Sequence, residues 1–96
     1  MLDKKAVERK LKEHKPILEE RYFVKRIGIF GSYARDEQKK ESDVDIIVEF
    51  TSPVGFKFIE LKLYLEEILD KKVDLVTPNA LKPQIKESVL KEVSYQ

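Results

Sequence analysis

Apolar positions recur along this 96-residue chain with two different periods, and the switches of period mark its elements. Near the start, Ala6, Val7 and Leu11 fall at helical spacing, with Asp3 placed to cap the helix. Pro16 interrupts that pattern and opens a second short helix running to Tyr22. FVKRIGIF, residues 23–30, is rich in β-branched and aromatic residues and reads as a strand. DVDIIVEF, residues 43–50, reads as another. FKFIELKLYLEEILDKK, residues 56–72, is an amphipathic helix. KVDLVT, residues 72–77, is a short third strand stopped by Pro78-Asn79. ALKPQIKESVLKEV, residues 80–93, is a last helix whose regular part begins near Pro83. The expected fold is α/β: a small mixed sheet of three to four strands with helices covering one face. No repeat, low-complexity tract or long linker divides the chain, so one domain over residues 1–96 is expected.

Alternation within the strands separates two faces. Val44, Ile46, Val48 and Phe50 share a wholly apolar face that should meet the helices. Asp43, Asp45, Ile47 and Glu49 share the other. In the third strand Val73 and Leu75 fall together and Asp74 opposite. If the two strands are neighbours, three carboxylates project from one side of the sheet, and that side stays open around them.

Carboxylates at alternate strand positions stand roughly 6.5 to 7 Å apart at the backbone and repel. No Lys or Arg within the strand offsets them. The chain has no cysteine and one histidine, His14, which removes Cys-based and His-rich metal sites. Oxygen ligands alone favour Mg²⁺, with Mn²⁺ as the alternative. Two such ions about 3.5 to 4 Å apart are the usual arrangement for phosphoryl transfer.

Gly31-Ser32 follows the first strand, where a short helix could begin. Glycine permits close backbone approach, N–H groups at a helix start attract phosphate, and Ser32 adds a hydroxyl. Each feature alone has an ordinary reading: Asp-x-Asp as a cap or solvated edge, Gly-Ser as a turn, Asp74 as a surface residue. Together they outline a nucleoside triphosphate site, in which the metals reconcile acidic side chains with an anionic nucleotide. Net charge is only +1, which disfavours direct nucleic-acid binding. No stretch has the length of a membrane span and the N-terminus is charged, so a cytoplasmic protein is the default.

FGSYARDEQKKESDVDIIVEF resembles the signature of the minimal nucleotidyltransferases of the DNA polymerase beta superfamily. That pattern, Gly-Ser-x-Ala-Arg, six residues, Ser-Asp-x-Asp, is met by Gly31, Ser32, Ala34, Arg35, Ser42, Asp43 and Asp45. A glycine often follows the arginine; here it is Asp36. The resemblance implies that Asp43, Asp45 and Asp74 are catalytic and hold two magnesium ions. It implies ATP or another nucleoside triphosphate at Gly31 and Ser32, with Arg35 and Ser42 as further nucleotide-site candidates. Arg35 has an equal reading as a partner of a carboxylate, and Ser42 as a cap at the start of the strand.

The resemblance also implies a partner. Such small proteins pair with HEPN-domain toxins in toxin–antitoxin modules, where the nucleotidyltransferase is the antitoxin and places AMP on a toxin tyrosine. Two alternatives stand beside this: a non-catalytic antitoxin acting by contact, and a transferase acting on RNA or a small molecule. In the helix 56–72, Phe58, Leu61, Leu65, Ile68 and Leu69 form the stripe expected to face the core. Phe56, Ile59 and Leu63 fall on another side, a surface for a HEPN partner or a homo-oligomer. The C-terminal VSYQ is a second candidate contact.

Overall fold

Hydrogen bonding and burial place the elements of the computed structural model, which describes residues 2–96, close to the boundaries that the apolar pattern predicts. The Asp3 side chain accepts from the Ala6 N–H at 2.9 Å and starts α1 (Lys4–Glu13). Pro16 sits in the first turn of α2 (Lys15–Tyr22), where its missing N–H costs nothing. There follow β1 (Val24–Phe30), α3 (Gly31–Ala34), β2 (Val44–Phe50), α4 (Lys57–Leu69), β3 (Val73–Val76), a short 3₁₀ turn, α5 (Pro83–Glu92) and β4 (Ser94–Tyr95).

The described residues form one four-stranded mixed sheet in the order β3-β2-β1-β4. β2 pairs antiparallel with β1 and parallel with β3, so the two strands that carry the aspartates are neighbours. The register slips between Val24 and Arg26. This bulge explains how Val24 and Ile27, three positions apart, are both buried.

One face of the sheet carries the main core. Val44, Ile46 and Val48 meet Val73 and Leu75 from β3, Ile27 and Ile29 from β1, and Val7, Leu11 and Leu18 from the first two helices. Leu61, Leu65 and Leu69 bring α4 onto the same layer, with Phe58 and Ile68 at its margin. Phe56, Ile59 and Leu63 lie on the outer side of this helix region, at 89%, 57% and 59% exposure. The opposite face is exposed around Asp43 and Asp74. Farther along, Ile47 and Val89 are buried outside the main core, and Lys86 and Leu90 of α5 line a depression with Arg26 and Glu49.

VSYQ, a candidate partner contact by sequence, is instead engaged by its own sheet. Tyr95 pairs with Gly28, Gln96 N–H donates to the Ile27 carbonyl at 2.9 Å, and the Arg26 guanidinium lies 3.8 Å from the Tyr95 ring centroid. Among the described residues, no helix is long and apolar enough to cross a membrane.

Gly28 is where this last strand touches the sheet. A Cβ there would stand 2.7 Å from a Val93 methyl and 2.9 Å from the Ser94 carbonyl oxygen. Gly28→Ala is expected to destabilise the fold by about 1 kcal/mol. It should also speed amide exchange at Tyr95 and Gln96 more than in α4; uniform exchange rates would contradict this packing.

Candidate active site

The site begins with β1 running into a glycine. Gly31 has φ of +71°, a conformation glycine adopts without strain. A Cβ at this position would lie 2.1 Å from the Asp45 Oδ2, so the Asp45 carboxylate fills the space a side chain would need. Phe30, just before, is the register partner of Asp45. In the single turn of α3, Tyr33 and Ala34 point into the core. That anchoring leaves Ser32 partly exposed and Arg35 exposed.

The loop from Arg35 to β2 closes on itself. The Ser42 hydroxyl accepts from the Lys39 N–H at 2.9 Å, and the Ser42 N–H donates to the Lys39 carbonyl at 3.0 Å. In this structure Ser42 therefore shapes the approach to β2. Asp36 has φ of +58°, which accounts for the glycine that the family pattern often carries there. Aspartate tolerates this region better than most residues.

Parallel pairing sets Asp45 of β2 directly beside Asp74 of β3. Asp43 lies just outside β2 and is exposed, as is Asp74; Asp45 is half-buried. Burial of the Asp45 carboxyl raises its pKa first, then the charge of Asp74, the charge of Asp43 and a hydrogen bond with Asp74. Arg35 opposes the shift, and the outcome is about 6 against an ordinary 3.8. Asp74 and Asp43 thus both act on Asp45, on the face to which strand alternation assigns them.

The donor set is carboxylate oxygen alone. His14 stands apart, its Nδ1 2.6 Å from the Tyr64 hydroxyl. Among the described residues no three carboxylate or imidazole groups are already drawn together as a ligand set. Asp45 and Asp74 are the close pair, and Asp43 is the outlying member. A half-buried carboxyl whose pKa is raised by burial and then by a neighbouring carboxylate suits a hard divalent cation, which would relieve the repulsion between them.

Glu92, the last residue of α5, carried no signal in the sequence. Its Oε2 accepts from the Gly31 N–H at 3.3 Å. The Arg35 Nη1 donates to both carboxylate oxygens, at 3.0 and 2.8 Å. Arg35 also donates through Nε to Glu37 at 2.9 Å. The hydrogen bonds to Glu37 and then Glu92 push the guanidinium pKa further above its already high value. The structure shows Arg35 paired with carboxylates.

Comparison with known proteins follows the same lines. The family model described as a nucleotidyltransferase domain matches residues 11–95. A protein adenylyltransferase MntA of Thermococcus cleftensis is 50% identical over 96 residues, 99% of this chain and 97% of that protein. A solved structure described as a minimal nucleotidyltransferase superposes with a TM-score of 0.83 at 31% identity, over 97% of this chain and 95% of that one. A chain from the complex of tri-AMPylated Shewanella oneidensis HEPN toxin with MNT antitoxin superposes with a TM-score of 0.58 at 27% identity, over 88% and 68%.

The raised pKa of Asp45 has a thermodynamic consequence. The group ionises near 3.8 when unfolded and at about 6 when folded, so folding favours its protonated form between these values. Its contribution to stability is therefore complete below the lower value and lost as pH rises through about 6. Solvent screening at this half-exposed carboxyl limits the effect to about 1 kcal/mol. Asp45→Asn is expected to raise the melting temperature at about pH 7.5 and to leave it unchanged at about pH 3, by calorimetry without divalent ions. A gain of the same size at both pH values would contradict the assignment.

Proposed function

The chain belongs to the nucleotidyltransferase domain family, and on that premise we propose that it transfers AMP from ATP to a tyrosine hydroxyl of a HEPN-domain toxin, acting as the antitoxin of the pair. The observation that carries the reading is the register placing Asp45 beside Asp74, with Gly31 backed against the Asp45 carboxylate. The adenylyltransferase name of the relative in Thermococcus cleftensis and the AMP-modified toxin of the Shewanella complex support the nucleotide and the acceptor.

Asp43, Asp45 and Asp74 would hold magnesium, with manganese as the substitute. Asp43 and Asp74 are exposed, so their side chains have room to turn toward a bound ion. Bound magnesium supplies the positive charge that lets a triphosphate lie against these carboxylates and offsets charge on the leaving pyrophosphate. The chain's own groups do the rest. The Gly31 N–H, the Ser32 hydroxyl and Arg35 hold phosphate oxygens, while Ser42 keeps the loop ahead of Asp43 in shape. Asp74 takes the proton of the acceptor hydroxyl as its oxygen bonds to the α-phosphorus. The bond from that phosphorus to the β-bridging oxygen breaks, and pyrophosphate leaves. The catalytic contribution is positioning and charge stabilisation in a fixed frame.

Incubation with labelled ATP, Mg²⁺ and the protein encoded by the neighbouring gene should add AMP to that protein, at tyrosine by mass spectrometry. Replacing both Asp43 and Asp45 by Asn should lower transfer by at least about a thousandfold. If the double variant still neutralises its partner fully, inhibition by contact replaces transfer as the mechanism.

Partner binding is proposed to use the exposed Phe56, Ile59 and Leu63. Ile59→Asp with Leu63→Asp should abolish co-purification of the partner while changing the melting temperature by no more than about 3 °C. Retained co-purification would place the interface elsewhere.

A further inference from the structure

We propose that Glu92 is an internal occupant of the triphosphate cradle, a carboxylate that nucleotide must displace before it can bind. The inference rests on the assignment of Gly31 and Arg35 to the triphosphate. Both groups are engaged by one anion, the Glu92 carboxylate. The Glu92 Oε2 accepts from the Gly31 N–H at 3.3 Å and from Arg35 at 2.8 Å, while its Oε1 accepts from Arg35 at 3.0 Å. A carboxylate bridging a backbone N–H and a guanidinium presents the geometry and charge of two phosphate oxygens. The two anions cannot hold the same donors together.

The contact is built to open without unfolding. Glu92 is the last residue of α5, and the backbone beyond it is held independently. Ser94 pairs with Ile29, the Ser94 hydroxyl donates to Glu8 at 2.7 Å, and the Gln96 N–H reaches the Ile27 carbonyl. Rotation of the Glu92 side chain, itself 26% exposed, therefore frees the cradle while β4 stays in place. Arg35 keeps Glu37 as a second partner at 2.9 Å, so release does not strand its charge. A triphosphate carries more charge than a carboxylate and wins the exchange, whereas AMP lacks the outer phosphates to compete. Glu92 thereby raises the threshold for nucleotide entry and favours departure of pyrophosphate.

The test is titration calorimetry of the wild type, Glu92→Gln and Glu92→Gln with Arg35→Gln, using tripolyphosphate with Mg²⁺ and, separately, AMP. Glu92→Gln should bind tripolyphosphate about three- to tenfold more tightly, the size expected for losing a solvent-screened charged competitor. AMP affinity should not change, and the gain should vanish in the Arg35 double variant. Glu92→Ser, too short to reach Arg35, repeats the measurement with a different side chain. Equal tripolyphosphate affinity overturns the proposal, and weaker affinity shows instead that Glu92 orients Arg35 for the ligand. AMP transfer to the partner is assayed in parallel. Tighter tripolyphosphate binding without transfer by either protein would refute the proposed function and leave the Glu92 contact standing. Transfer with unchanged affinity would refute the contact alone.

Discussion

Two carboxylates held side by side across a parallel pair of strands are the constraint on which the remainder of the structure depends. Asp45 and Asp74 repel, and nothing in their own strands compensates. What holds them is the other face. Val44, Ile46 and Val48 on β2, with Val73 and Leu75 on β3, are buried against the helices. Each such side chain contributes roughly 1.5 to 3 kcal/mol on burial, so together they outweigh a repulsion of about 1 kcal/mol several times over. Because strand side chains alternate, burying that set obliges the aspartates to emerge on the opposite face. A slip of one residue would carry both into the core, which makes the register robust for the reason that it is electrostatically unfavourable.

The same core positions the turn that faces the acidic pair. α3 is a single turn and has little stability of its own. Tyr33 and Ala34 tie it to the apolar layer, and Gly31 lets its backbone approach the Asp45 carboxylate where any Cβ would collide. Core packing thus brings a backbone N–H and a guanidinium to the edge of an acidic pair. The left-handed Asp36 then turns the chain away, and the hydrogen bonds between Lys39 and Ser42 return it to β2.

How much of this could be read from the sequence follows from how local each signal is. Asp3 as a cap, Pro16 as a helix start and the period-two face of residues 43–50 depend on neighbours within a few positions. Alternation puts Asp74 on the acidic face and the family resemblance makes it the third carboxylate, but only the strand pairing establishes that it stands beside Asp45. The bulge at residues 24–26 was hidden because an apolar, Gly-containing run alternates poorly on either phase. β4 is two residues long and exists through its pairing with Gly28 and Ile29, far away in the chain. Glu92 reads as one more charged residue at a helix end. Its significance comes from Arg35, 57 positions earlier, and no local pattern encodes that contact.

The exposed apolar residues of α4 and the acidic face lie on opposite sides of the molecule. Leu61, Leu65 and Leu69 turn inward to the sheet, so Ile59 and Leu63, about half a turn away around the helix, turn outward. Asp45 and Asp74 project from the far side of that same sheet. On the proposed function, a partner docked on α4 would have to extend around the domain to present a hydroxyl to the aspartates. Under that proposal, holding the partner and modifying it would be separate tasks for separate surfaces. The acceptor side chain is expected on a mobile segment of the partner, not within the interface that binds it.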